Sequence, residues 1–427
     1  MVTWLQSYLD LGKDRATWTY VADALIAHNI PKKYNNIEER SRINIFLQSW
    51  NTKTSELPKD LKDMIEIAKK YGTRLEGLAF SREIINEMPA WHHIESAERM
   101  HPYKGKQSKC LRENHEVTSV GDLEREARKI CTARHCRRRN CRCIECEAAR
   151  TKHCQSPFKC YTRANNILKL LPPKWNPLIE QPNDEKWEPH EHPENGVTFE
   201  NRATTKGTLA DAFCIFTEGT TTNNLPDPHP QRDEDIDEVI IYTDGSCTNN
   251  GNDNAKAGAG IFCPSNEDLN RAIRLPNEIP QTNQSGEIIS IKEAAEGVQP
   301  NANLLILSDS KTSIEGLTKH RQKWEDTGFI GVANHKEYQA TIATLWKRDA
   351  PTTFSWVKGH AGIEGNERAD GLAKEGCQKE QADAVELVIP PTLKLTGAKL
   401  KGMTQALAYK AIRKHKMMKK TYQEALN

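Results

Sequence analysis

Long apolar runs are missing from this chain. Nowhere in its 427 residues, of which 37% are hydrophobic, does an uninterrupted stretch approach the ~20 apolar residues that a membrane-crossing helix needs. No membrane span is expected. A large net charge is missing too, because 60 basic and 58 acidic residues leave only +2. Met1 to Asp10 has neither the basic start nor the apolar core of a secretory signal, and Asp10 and Asp14 are out of place in a mitochondrial presequence. The expectation is an intracellular protein, with nucleus and cytoplasm undistinguished, whose cysteines stay reduced.

The charges that cancel overall are unevenly placed. From Arg125 to Arg163 there are 12 Lys or Arg against Glu126, Glu145 and Glu147, and from Lys394 to Lys420 there are 9 against no acid. Such blocks suit a nucleic-acid backbone, although a solvated helix face produces the same pattern. At ~150 residues per domain the length points to two or three domains. Residues 1–100 read as helical: Trp4, Leu5, Tyr8 and Leu9, then Trp18, Val21, Ala22 and Leu25, recur on one helix face, and further helices are expected from Leu61 to Tyr71 and Leu78 to Glu87. Residues 172–236, rich in proline and polar residues and ending in the acidic run Asp233 to Glu238, read as linker. A new domain is expected over 237–380, and a basic helical tail over 381–427.

Residues 101–171 form a Cys-rich basic region, with 8 of the chain's 12 cysteines between Cys110 and Cys160. Cys141, Cys143, Cys146, Cys154 and Cys160 are closely spaced, and Cys131, Cys136, His115, His135 and His153 are near in sequence. Close thiolate pairs suit tetrahedral zinc. Cys141, Cys143, Cys146 and Cys160 are the candidate ligands, against the alternative of reduced cysteines without metal.

Beyond residue 237 strands and helices alternate. Val239 to Tyr242 form a β-branched run expected to end in a turn at Thr243, Asp244, Gly245 and Ser246, which puts Asp244 at a strand end. Gly251, Gly258 and Gly260 suggest a hairpin into Ile261 and Phe262, with a third strand over Arg271 to Leu275. A helix from Ser285 to about Gly297 has Glu287 in register with Ile291, Ala294, Ala295 and Val298. An acid on such a stripe is costly unless paired or bound to a cation, whereas Glu293 and Glu296 belong to outer faces. Leu304 to Leu307 lead into Ser308 and Asp309, a second acid at a strand end. After helices that include Ile314 to His320 and His335 to Trp346, the strand Thr353 to Val357 opens a Gly-flanked loop with His360. A last helix then carries Asp370.

These residues resemble the type 1 ribonuclease H family. Tyr242-Thr243-Asp244-Gly245-Ser246, Gly286-Glu287, Leu307-Ser308-Asp309-Ser310, Trp356-Val357-Lys358-Gly359-His360-Ala361-Gly362 and Asn366-Glu367-Arg368-Ala369-Asp370 occur in the family's order. The resemblance implies a mixed five-stranded α/β sheet with helices on both faces, preceded here by the helical and Cys-rich N-terminal region. It implies hydrolysis of the RNA strand of RNA–DNA hybrids by two-metal catalysis, with two Mg2+, or Mn2+, held by Asp244, Glu287, Asp309 and Asp370, and with His360 assisting proton transfer. Gly245, Ser246, Asn283 and Gln284, with Cys247 and Thr248, are implied contacts to the hybrid. Where bacterial relatives carry a basic handle, Lys319, Arg321, Lys323 and Lys336 here are opposed by Glu325, Asp326 and Glu337.

The flanking segments resemble those around ribonuclease H in fungal retrotransposon polyproteins, which implies a retroelement-derived fragment binding nucleic-acid backbone through its basic patches. The alternatives are a host housekeeping ribonuclease H and a nonenzymatic nucleic-acid-binding remnant.

Overall fold

An 11-residue strand, β2 (Glu238–Thr248), organises the C-terminal part of the protein. The structure, a computed structural model, describes residues 2–12, 14–96, 103–131, 135–182, 196–227 and 238–426. It divides into two units, one of Met1–Pro182, Thr204–Pro226 and Leu395–Asn427, the other of Asn183–Ala203 and Asp227–Lys394.

The second unit is an α/β fold. Its elements in chain order are β1 (Val197–Thr198), β2, β3 (Lys256–Phe262), β4 (Arg271–Arg274), α1 (Asn283–Gly297), β5 (Asn303–Ser308), α2 (Lys311–Leu317), α3 (Arg321–Asp326), α4 (His335–Trp346), β6 (Thr352–Trp356) and α5 (Glu364–Gln378). The strands form one mixed sheet in the order β1-β6-β5-β2-β3-β4. β5 pairs parallel with β2 and β6, while the β2–β3, β3–β4 and β1–β6 pairs are antiparallel. The sheet therefore has six described strands rather than five. The extra edge strand comes from the segment expected as linker, where Phe199 is buried.

Glycines set how closely helices approach this sheet. A Cβ on Gly245 would meet the α1 backbone at Glu287 N and Asn283 O, and one on Gly260 would meet the α5 backbone at Ala369 O and Ala373 N. The two helices thus lie against opposite faces, because Gly260 pairs with Asp244 and shares its face, while the neighbouring Gly245 points the other way. The hairpin expected around Gly251, Gly258 and Gly260 forms between β2 and β3. Gly258 and Gly260 lie inside β3, and Gly251 takes a left-handed turn conformation, at φ +88°.

The first unit is mainly helical: Val2–Leu9, Thr17–His28, Lys59–Lys70, Arg82–Glu87, Lys106–Glu113, Val120–Arg128, Ile144–Thr151, Pro157–Leu168 and Gln405–Leu426 are its longer helices. Two small sheets join Arg74–Leu75, Phe213–Ile215 and Ala398–Lys399, and Ala79–Phe80 with Thr204–Thr205. Leu5, Tyr8, Leu9 and Ala22 face the core as the sequence period implies, but Trp4, Val21 and Leu25 are exposed and the second helix buries Ile26 and Ala27 instead. Residues 172–182 and 204–226 do not behave as solvated linker, since Trp175, Phe213 and Ile215 are buried. The rest of that expected linker, at 183–195 and 228–236, and the start of the acidic run at Asp233 lie outside the described residues. Among the described residues no helix is long and apolar enough to cross a membrane.

Candidate active site

Asp244 lies within β2 rather than at its end. The strand does not turn at Asp244-Gly245, because β3 continues to pair with it through Asp244↔Gly260 and on to Thr248↔Lys256. What ends there is the parallel ladder, whose last rung is Thr243↔Ser308. Asp244 and Asp309 are therefore the next residues of two neighbouring strands. α1 supplies the third acid. Thr282 caps this helix by accepting from Ser285 N, and Gly245 lets its first turn come against β2.

As a result, ligand oxygens of Asp244, Glu287 and Asp309 all lie within 4.8 Å of one another. Asp244 is only 6% exposed, and Glu287 Oε2 is buried with no hydrogen-bond partner. Burial, and next the charge of Asp309, pushes the Asp244 carboxyl up to about 6. Burial, followed by Asp244 and Asp309, raises Glu287 well above the usual carboxylate range. Such crowding favours protonation unless a cation neutralises it. The orphaned oxygen and the all-carboxylate donor set fit a hard divalent ion.

Asp370 is placed less tightly. It sits on α5, over the face that Asp244 shares, and its charge adds to the field on Asp244. Its carboxylate accepts from Lys374 Nζ at 2.6 Å, one turn along the helix. His360 is on the exposed loop before α5, in the left-handed conformation at φ 52°.

Three further residues position Asp309. Asn366 Nδ2 donates to Asp309 Oδ2 at 3.3 Å, Trp356 Nε1 donates to its backbone oxygen at 3.0 Å, and a Cβ on Gly359 would stand 2.5 Å from Oδ2. Asn366 was recognisable in sequence only as four residues before Asp370, hence on the same helix face. Of the expected substrate contacts, Gly245 and Ser246 are in β2 and Asn283 is exposed at the start of α1. Gln284 donates from Nε2 to Ser313 Oγ at 2.8 Å, which ties α1 to α2.

One sequence assignment is corrected here. Glu293 is buried, not outward, and pairs with Arg271 at 2.8 Å and the buried Lys292 at 3.2 Å. Most of α1 is covered, and of the two acids expected on its outer face only Glu296, near its end, is exposed. Arg321 in α3 is opposed by Glu325 as its sequence neighbourhood implies: it is buried, pairs with Glu325 at 2.8 Å, and packs on the Phe199 ring.

In the first unit the cysteines separate into two groups. Cys141, Cys143 and Cys146 gather around His135, while Cys160 joins Cys110, His115 and Cys154. The expected set with Cys160 as fourth ligand is thus divided, since Cys160 sits in the first turns of the helix Pro157–Leu168, where it faces Cys154 at 3.7 Å between sulfurs.

The RNase H family profile matches residues 236–378. Ribonuclease H1 of Homo sapiens is 36% identical over 150 residues, which are 34% of this chain and 52% of that protein. Ribonuclease H of Rickettsia canadensis is 34% identical over 150 residues, covering 34% of this chain and 92% of its own length. That of Paracidovorax citrulli is 30% identical over 152 residues and is covered over 97% of its length. The chain spans about half the length of the mammalian relatives and nearly all of the bacterial ones, and the shared residues fall in the unit that carries the three acids. The chain belongs to the ribonuclease H family, with a type 1 ribonuclease H domain at residues 236–378.

Proposed function

We propose that the domain hydrolyses the RNA strand of RNA–DNA hybrids, and that the observation carrying this reading is the convergence of Asp244, Glu287 and Asp309 with Glu287 Oε2 left unpartnered. These three would hold divalent metal, with Asp370 completing the set from α5. When bound, a pair of Mg2+ or Mn2+ ions supplies an activated water and neutralises the leaving oxygen. Asn366 and the Trp356 indole keep Asp309 aimed at the site. His360, on its Gly359–Gly362 loop, accepts and returns a proton at an imidazole nitrogen. Ser246 and Asn283 face a minor groove, where the 2′-hydroxyls of one strand distinguish RNA from DNA.

The basic segments 125–163 and 394–420 would add contacts to the nucleic-acid backbone. The resemblance of these flanks to retrotransposon polyproteins supports a retroelement-derived origin, which the genomic neighbourhood tests: reverse-transcriptase sequence beside the gene supports it, and a conserved host locus without one removes it. For the activity, end-labelled RNA–DNA hybrid is incubated with Mg2+ and either the native protein or Asp309→Asn, with double-stranded DNA as control. RNA cleavage by the native protein alone is expected. Equal cleavage by both, or none by either, refutes the assignment.

A further inference from the structure

The Cys-rich region contains two separate four-ligand constellations within the first unit, and neither is part of the nuclease site. One gathers Cys110, His115, Cys154 and Cys160; the other gathers His135, Cys141, Cys143 and Cys146. In each, one ligand atom from every residue lies within 4.8 Å of the others. We propose that each constellation binds one Zn2+ through three thiolates and one imidazole, so that the chain carries two structural zinc ions in addition to the metal of the ribonuclease H domain.

The distances are those of tetrahedra. With Zn–S near 2.3 Å and Zn–N near 2.0–2.1 Å, the edges of a Cys3His tetrahedron are about 3.5–3.8 Å. In the second constellation His135 Nδ1 lies 3.4, 3.7 and 3.4 Å from the sulfurs of Cys143, Cys141 and Cys146. In the first, the sulfurs of Cys154 and Cys160 are 3.7 Å apart. That is far beyond the ~2.05 Å of a disulfide, but it is one edge of a zinc tetrahedron.

The surroundings match as well. His115 Nδ1 lies 2.7 Å from the Glu126 carboxylate, while its other ring nitrogen, Nε2, is buried without a hydrogen-bond partner. A carboxylate behind a ligating imidazole fixes its tautomer and leaves the opposite nitrogen for metal. Sulfurs in both groups accept N–H donors, from Asn114 Nδ2 to Cys110 at 3.2 Å and from Cys136 N to Cys141 at 3.4 Å, as thiolates do. Cys141, Cys146, Cys154 and Cys160 are buried, and gathering three thiols into one pocket with nothing to ligate leaves their weak polar groups poorly satisfied.

The two sites also account for a segment with little core of its own. Between His135 and Ile144 only Cys141 is buried, and the rest is dominated by Arg137, Arg138, Arg139 and Arg142. One zinc would close this basic loop onto the helix Ile144–Thr151. The other would pin the helix Lys106–Glu113 to the start of Pro157–Leu168. Metal thereby replaces apolar burial as the source of local stability.

The test uses the full chain, purified without added metal and then desalted from buffer containing excess Mg2+. Zinc released on thiol modification should be two equivalents per chain, and one equivalent in each of Cys146→Ser and Cys160→Ser. His115→Cys and His135→Cys, which offer a fourth thiolate, should each retain two. Asp309→Asn should also retain two, which separates this result from the fate of the nuclease assignment. If the serine variants do not fold, cobalt titration of the chelator-stripped native chain decides: its thiolate-to-metal absorption should saturate at two equivalents. Saturation at one equivalent, no thiolate absorption, or full zinc in both serine variants overturns the proposal.

Discussion

Asp244 and Asp309 each stand one residue past Thr243↔Ser308, the last rung of the parallel pairing between two adjacent strands. The end of that ladder, rather than the end of a strand, brings the two carboxylates together. Their joint placement makes the first prediction. Asp309→Asn keeps size and shape but removes one charge from the set, so Mg2+-dependent hybrid cleavage should fall by roughly 10²-fold or more, with a melting temperature in chelator no lower than native, since a repelling charge is lost. A folded variant of near-native activity would show that Asp309 is dispensable.

The raised carboxyls give a pH dependence of defined sign. Asp244 moves from 3.8 to about 6 in the folded chain, so between about pH 4 and pH 6 the folded state holds a proton that the unfolded state has released. Stability of the metal-free protein therefore falls as pH rises through this window. The loss attached to Asp244 is on the order of 3 kcal/mol at most. In chelator, thermal unfolding should show the native chain losing more stability from pH 5 to pH 7 than Asp244→Asn. Mg2+ should recover much of it at pH 7. An identical pH response of the two chains contradicts this account.

Much of this unit can be read in sequence because the apolar runs Val239 to Tyr242 and Leu304 to Leu307 mark its two central strands and an Asp stands two residues past each. The error over Asp244 is informative. Asp-Gly is turn chemistry, but a neighbouring strand that continues to pair overrides it, and only tertiary structure supplies that neighbour. Glu293 was misplaced for a similar reason: periodicity assumes one solvent face, whereas α1 is packed nearly all round and gives that acid Arg271 and Lys292 as partners. The cysteines could be recognised as ligands from spacing, yet their grouping could not, since Cys110 and His115 reach Cys154 and Cys160 across about 40 residues of chain.

Gly359 stands against the Asp309 carboxylate, where an added Cβ would sit 2.5 Å from Oδ2. Gly359→Ala should displace the end of that side chain rather than the fold. The expected outcome is a rise of about 10–100-fold in the Mg2+ concentration for half-maximal activity, while thermal stability stays within ~1 kcal/mol of native. Unchanged Mg2+ dependence would mean that the loop, not Asp309, yields to the methyl group.

Arg321 offers the opposite dissection, of structure from affinity. Its guanidinium is buried, pairs with Glu325 and donates to the backbone oxygens of Glu200 and Arg202. Arg321→Ala leaves those acceptors and a largely buried carboxylate unsatisfied, so stability should drop by about 3 kcal/mol. Below the melting transition, hybrid affinity and its salt dependence should be native-like, because this arginine makes no phosphate contact. A smaller salt slope with unchanged stability would instead give Arg321 the role of a basic handle.

His360 tests the chemistry without touching the metal set. Its left-handed backbone, at φ 52°, is a conformation that Asn adopts more readily than most residues, so His360→Asn preserves the loop while removing the imidazole. If the imidazole moves a proton, kcat should fall by ~10²-fold with KM little changed, and the pH–rate profile should lose the limb that the imidazole controls. Should KM rise while the profile keeps its shape, His360 would be a binding residue, because a proton carrier cannot be removed without altering how the rate depends on pH.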